Sequence, residues 1–136
     1  MENASNSPEF VTSAFIRALN RQDVEGMLAL MSPNHRLVDS MGTVVEGLEK
    51  MRPGWEGYFK MVPDYALAIE EMYASGPVVL LLGIAQGTYT RTGQLTAENR
   101  WHTPIALRAF VEDGLITEWK IYADNEPIRR LIARST

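Results

Sequence analysis

Asp113-Gly114-Leu115-Ile116-Thr117-Glu118-Trp119 decides the fold. An Asp-Gly pair between two apolar, strand-rich runs is among the stronger short-range hairpin signals, because the favoured two-residue turn needs positive φ at both central positions. The pair is read as the turn joining a strand over 97–112 to one over 115–122. Upstream, Thr92-Gly93 and Gly76-Pro77 punctuate the chain in the same way and delimit strands at 78–90 and 65–74. Four successive strands with such turns predict an antiparallel sheet. Two of them exceed ordinary strand length, so the sheet has to bend, with Gly83, Gly87 and Pro104 as candidates for the bulge or bend. A bent sheet offers a concave face.

The rest of the chain supplies what covers that face. Val11, Ala14, Phe15, Ala18 and Leu19 share one side of a helix that Ser7 and Pro8 can open. Asp23 can cap a second helix carrying Val24, Met27, Leu28 and Met31, with Ser32-Pro33-Asn34 ending it. His35 to Gly42 reads as a short strand that stops at a turn. Leu48, Met51, Trp55 and Tyr58 or Phe59 form a third helical stripe, which Pro53-Gly54 should kink or divide. Asp124 can cap a closing helix that buries Ile128, Leu131 and Ile132. The expected architecture is α+β and cone-shaped, with N-terminal helices packed on a strongly curved, mainly antiparallel sheet. One domain spans 1–136, with residues 1–7 expected to be flexible.

Composition narrows the function classes. A chain of 136 residues supports a single core. The formal net charge is −4, and the 13 Lys and Arg are scattered, so no basic stripe exists to neutralise a run of phosphates. Nucleic acid is not an expected partner. Without Cys there is no disulfide, thiol nucleophile or thiolate metal site, a pattern compatible with a reducing cytoplasm. The polar N-terminus lacks the basic and apolar regions of a secretory signal, and no run is long and apolar enough to span a membrane. His35 and His102 fall on separate strands without an adjacent carboxylate run, so no metal site is expected. Glycine-rich dinucleotide and phosphate loops are absent, and no cofactor is expected.

Asp39 is the principal catalytic candidate. It stands at an apolar-flanked strand end, before a Gly-containing turn and an aromatic-rich helix. A carboxylate partly withdrawn from water holds a proton more tightly and can act as a general base near neutral pH. The alternative is that Asp39 caps the turn that follows it.

The opening helices, with Phe15-Ile16-Arg17-Ala18-Leu19-Asn20 and Asp23, and the hairpin ending Asp113 to Trp119 resemble the nuclear transport factor 2-like superfamily. Within it, the chain is most similar to the SnoaL-like and ketosteroid isomerase-like branch, over about 8–134. That branch includes isomerases, polyketide cyclases, epoxide hydrolases, dehydratases and domains that only bind ligands, so the fold does not choose among them. The resemblance implies that Asp39 matches the proton-shuttling Asp of the isomerases. Their two enolate-stabilising donors are replaced by Phe15 and Ala106, which argues against steroid isomerisation. Both carboxylates of the epoxide hydrolases are likewise missing, from Arg100-Trp101-His102 and from Trp119-Lys120-Ile121-Tyr122.

If Ala106 faces the cavity as its counterpart does, strand alternation brings Pro104, His102 and Arg100 to the same side. By the same logic Trp119, Ile121 and Ala123 point inward, and Trp55 matches a ring position on the third helix. The expected pocket is therefore aromatic, with Asp39 as base, His102 as its assisting acid or donor, and Phe15, Trp55, Phe59, Arg100, Trp119 and Ile121 as ligand contacts. Each residue keeps a structural alternative: His102 as a solvent-facing strand residue, the tryptophans as core, Arg100 as a solvated surface cation. Two functions are carried forward. One is a cofactor-independent isomerase, cyclase or dehydratase acting by proton transfer on a small hydrophobic carbonyl compound. The other is a ligand-binding or dimerisation domain without catalysis. A cytoplasmic homodimer is expected, the dimer by resemblance alone.

Overall fold

The computed structural model describes residues 6–135, so most of the stretch expected to be flexible lies outside the described residues. Its last residue, Ser7, caps α1 (Pro8–Asn20), the hydroxyl accepting the Phe10 N–H at 3.2 Å. Asp23 caps α2 (Val24–Leu28) by accepting the Gly26 N–H at 3.0 Å. This helix stops short of Met31, because β1 (Met31–Val38) begins there and takes Ser32-Pro33-Asn34 into a strand. Pro33 is tolerated because it falls where pairing between β1 and its neighbour slips, between Met31 and Arg36.

β2 (Val44–Glu46) is a three-residue edge strand with every residue exposed. Its shortness leaves no alternation to read in the sequence. α3 (Leu48–Met61) runs unbroken through Pro53, contrary to the expected division, and buries Met51, Trp55 and Phe59. β3 (Ala66–Ser75), β4 (Val78–Thr88), β5 (Arg100–Glu112) and β6 (Leu115–Ala123) follow, then α4 (Glu126–Arg134). Asp113 and Gly114 both have positive φ, 52° and 75°, as the hairpin turn demands.

The six strands form one sheet in the order β2-β1-β6-β5-β4-β3. Only β1 and β6 run parallel; the other neighbours are antiparallel. The bend lies level with Gly83, though the bulge is on the partner strand, between Ile69 and Glu71. Gly83 is needed there because a Cβ would stand 2.1 Å from the Ala68 carbonyl oxygen. Inward residues of the sheet, including Val79, Leu81, Leu107, Ala109, Ile116 and Trp119, meet Val11, Phe15, Leu19 and Met27 from α1 and α2 in one core. The opposite face leaves Tyr73, Leu80, Leu82 and Tyr122 exposed. Among the described residues, no helix is long and apolar enough to cross a membrane.

Candidate functional site

The core does not fill the whole space between helices and sheet. At the end where α3 crosses β1, a cavity of about 330 Å³ remains, a size suited to a small organic molecule. Its walls are largely aromatic and aliphatic. Trp55 and Tyr58 come from α3, Tyr65 from the start of β3, and Trp101, Thr103 and Ile105 from β5. Neighbouring rings support one another, Tyr58 standing edge-on to Tyr65 at 5.0 Å and to Trp55 at 6.2 Å. Ile121 and Ala123 of β6 continue the wall, and Asp39, Ser40, Lys50 and Asn125 complete the lining.

Asp39 is half-buried at the end of β1, and it both lines this cavity and closes its own turn. Oδ1 accepts the N–H groups of Met41 and Thr43, each at 2.9 Å. The Gly42 N–H returns to the Asp39 carbonyl at 2.9 Å, with Gly42 at φ 84°. Oδ2 makes no hydrogen bond among the described residues. One carboxylate oxygen therefore fixes the group while the other stays available. Beside it, the Asn125 side-chain amide donates to Ser40 Oγ at 2.6 Å, tying the turn to the start of α4.

The cavity also holds hydroxyls that the sequence reading passed over. Burial raises the pKa of Tyr58 and of Tyr65 well above that of a free phenol, and for Tyr65 the neighbouring Tyr58 adds to the effect. Both are protonated donors at neutral pH. Neither hydroxyl has a hydrogen-bond partner among the described residues. The indole N–H groups of Trp55 and Trp101, two further lining residues, are buried without an acceptor among the described residues. Thr103 is not free in the same sense, since its hydroxyl donates to the Asp124 carbonyl at 3.0 Å.

The sequence candidates divide. Asp39, Trp55 and Ile121 line the cavity, whereas Phe15, Phe59, Arg100, His102 and Trp119 do not. His102 and Arg100 are exposed on the outer face of β5, one residue out of phase with the inward set Trp101, Thr103, Ile105 and Leu107. No bulge intervenes between Arg100 and Phe110, so the pleat alone settles their direction. The readable signal was the alternation itself: Trp101, Ile105, Leu107, Ala109 and Val111 share one parity, and Arg100, His102, Arg108 and Glu112 the other. Phe15 and Trp119 belong to the packed core, their rings 4.7 Å apart and their exposures 0% and 1%. Phe59 packs against the ring of Trp55, 5.5 Å between centroids.

The other histidine is buried. His35 donates from Nδ1 to the Ile116 carbonyl at 2.7 Å, and Nε2 has no partner among the described residues. Burial lowers its pKa, opposed by the Ile116 carbonyl and by Glu118. It does not line the cavity. Among the described residues, no group of three or more His, Cys, Asp or Glu is placed to hold a metal ion.

A family model described as a SnoaL-like domain matches residues 12–119. No curated protein matches the chain. Among solved structures, a candidate SnoaL-like polyketide cyclase from Shewanella denitrificans superposes with TM-score 0.80 at 15% identity, covering 93% of this chain and 97% of its own. An NTF2-like protein from Burkholderia thailandensis gives TM-score 0.77 at 18% identity, with coverage of 93% and 97%. A candidate hydroxylase from Streptomyces galilaeus gives 0.75 at 19% identity, with coverage of 93% and 81%. At these identities the structural likeness speaks for the fold.

Proposed function

We propose, for a chain that belongs to the SnoaL-like family, that the cavity binds a small hydrophobic carbonyl compound and that Asp39 is its general base. The observation carrying this reading is that one cavity is lined by a carboxylate with an unbonded oxygen and by two protonated phenols with no partner among the described residues. A base and hydrogen-bond donors around one substrate are what proton abstraction next to a carbonyl requires. Asp39 takes the proton α to the carbonyl. Tyr58 and Tyr65 donate to the carbonyl oxygen as negative charge builds there, the part first expected of His102. Returning the proton to another carbon gives isomerisation; addition of the carbanion to a second carbonyl gives cyclisation; loss of a β-hydroxyl gives dehydration. None of these steps calls for a cofactor.

A second reading is a ligand-binding domain without catalysis. It is favoured by the outward direction of His102 and by the two turn N–H groups already held by Asp39 Oδ1. Deuterium incorporation α to the carbonyl of 2-tetralone in D2O, followed by NMR, separates the two. Catalysed exchange that falls at least about 100-fold in Asp39→Asn, with ligand affinity within about twofold, is expected. Binding without catalysed exchange selects the second reading. Exchange unaffected by Asp39→Asn removes Asp39 as the base.

The outer sheet face supports a homodimer within the same proposal. Tyr73, Leu80, Leu82 and Tyr122 are 56%, 46%, 39% and 49% exposed, an apolar patch that runs from β3 and β4 across Ala106 of β5 to β6 and is of the kind a second copy would cover. Sedimentation at micromolar concentration tests it, with Leu80→Lys expected to give monomer.

A further inference from the structure

The charge at the cavity mouth points to the class of ligand. Among the described residues, Lys50, in the first turn of α3, is the only cationic side chain of the lining. Arg129 stands on α4 one turn beyond the cavity-lining Asn125, and its Nη2 lies 2.8 Å from the sulfur of exposed Met41, next to the cavity-lining Ser40. Thioether sulfur is a weak acceptor, so this contact leaves the guanidinium's charge uncompensated. Lys50 and Arg129 have no carboxylate partner among the described residues, as is true of most of the chain's cations, and what sets these two apart is their place beside the cavity. The chain as a whole is acidic at −4, yet one of these cations lines the same cavity as Asp39 and the other touches Met41 in the turn that Asp39 closes.

We propose that Lys50 and Arg129 recognise an anionic group, so that the ligand is a planar, largely aromatic acid whose carboxylate or phenolate sits at the mouth while its apolar body enters between Trp55, Tyr58, Tyr65 and Trp101. The proposal rests on the cavity reading above and narrows it. Cations at a concave, low-dielectric mouth raise the local concentration of an anion and slow its departure. Asp39, on the same rim, repels a carboxylate held too close. That sets the orientation: the anionic end lies toward Lys50 and Arg129, and the carbon to be deprotonated lies toward Asp39.

Calorimetric titration with 2-naphthoate and with its uncharged methyl ester tests this. The wild-type chain should bind naphthoate at least about tenfold more tightly than the ester. The double variant Lys50→Met, Arg129→Met should lose that advantage and keep its affinity for the ester. Lys60→Met, which removes an exposed cation from the far end of α3, should leave both affinities within about twofold. Equal affinity of the wild type for acid and ester overturns the inference and leaves the cavity reading standing. Equal loss in Lys60→Met and in the double variant also overturns it, since bulk charge would then be responsible. Binding of neither probe overturns the inference and the cavity reading together.

Discussion

The two ends of the space between helices and sheet are made of similar residues and behave differently. At the closed end, Phe15, Leu19, Met27, Leu107, Ile116 and Trp119 fill the interior with exposures of 2% or less. At the open end, Trp55, Tyr58, Tyr65 and Trp101 are just as aromatic but stand around a cavity of about 330 Å³. The difference lies in the facing elements. α1 and α2 drive apolar side chains into the curve of the sheet, whereas α3 crosses beside it and meets it mainly through rings that brace one another. Aromatic content alone therefore separates neither core from pocket nor packing from binding.

The contrast breaks most sharply at Trp119. Trp119→Ala should lower unfolding free energy by about 3–5 kcal/mol, because a fully buried indole leaves a void that the neighbouring ring of Phe15 only partly closes. Urea unfolding measures it. A loss below about 1 kcal/mol would mean that the closed end is not the anchor of the fold.

At the open end the balance between stability and function should reverse. Replacing Tyr58 and Tyr65 together by Phe removes two hydroxyls without protein partners, so stability should change by less than about 1 kcal/mol. Catalysed exchange should fall about 10- to 100-fold, as expected for loss of donors to a developing oxyanion. A variant that loses stability and keeps its rate would place the two phenols in the structure and outside the chemistry.

His35 sharpens the same contrast through pH. Its Nδ1 is held by Ile116 and its Nε2 is buried without a partner, so the folded chain resists protonating it. The unfolded chain takes up that proton near pH 6.5, its ordinary value, and the folded chain only at lower pH. Between those points the unfolded state binds more protons, and stability is lost as pH falls, by at most about 1.4 kcal/mol per unit. Glu118, which also faces Arg36 and Arg108, moderates the effect. His35→Asn keeps a donor for Ile116 and removes the titration. Its difference from wild type in urea unfolding should shrink between pH 7 and pH 5, and a constant difference would rule out His35 as the source.

Much of the architecture was readable because turns and periodicity are local. Asp113-Gly114, Gly76-Pro77 and the Val11 to Leu19 stripe predict elements that the structure contains. β2 was not readable, since three exposed residues carry no pattern, and α2 read too long because Met31 satisfies a helical stripe as well as a strand end. Of the expected site residues, Asp39, Trp55 and Ile121 line the cavity, the first legible because it marks a strand end and the other two through helical and strand periodicity. Tyr58 and Tyr65 lie seven residues apart across the α3–β3 junction, and nothing in their local pattern says that the rings meet. Trp101 and Trp119 exchanged their expected surroundings, the first lining the cavity and the second filling the core.

The smallest expected effect comes from the residue that the sequence placed beside Asp39. His102→Ala should change stability, ligand affinity and exchange rate by no more than about 0.5 kcal/mol in equivalent terms, because His102 is exposed on the face of β5 away from the cavity. Strand parity is the reason. Trp101 is buried and lines the cavity, and adjacent residues on a regular strand cannot both point there. For His102 to act in the site, β5 would have to shift by one residue, moving Trp101, Ile105, Leu107 and Ala109 out of the core, far more burial than one imidazole could offset. A rate loss of tenfold or more in His102→Ala, with stability unchanged, would therefore point to the outer face of the sheet, and to a second chain covering it, as the place where His102 acts.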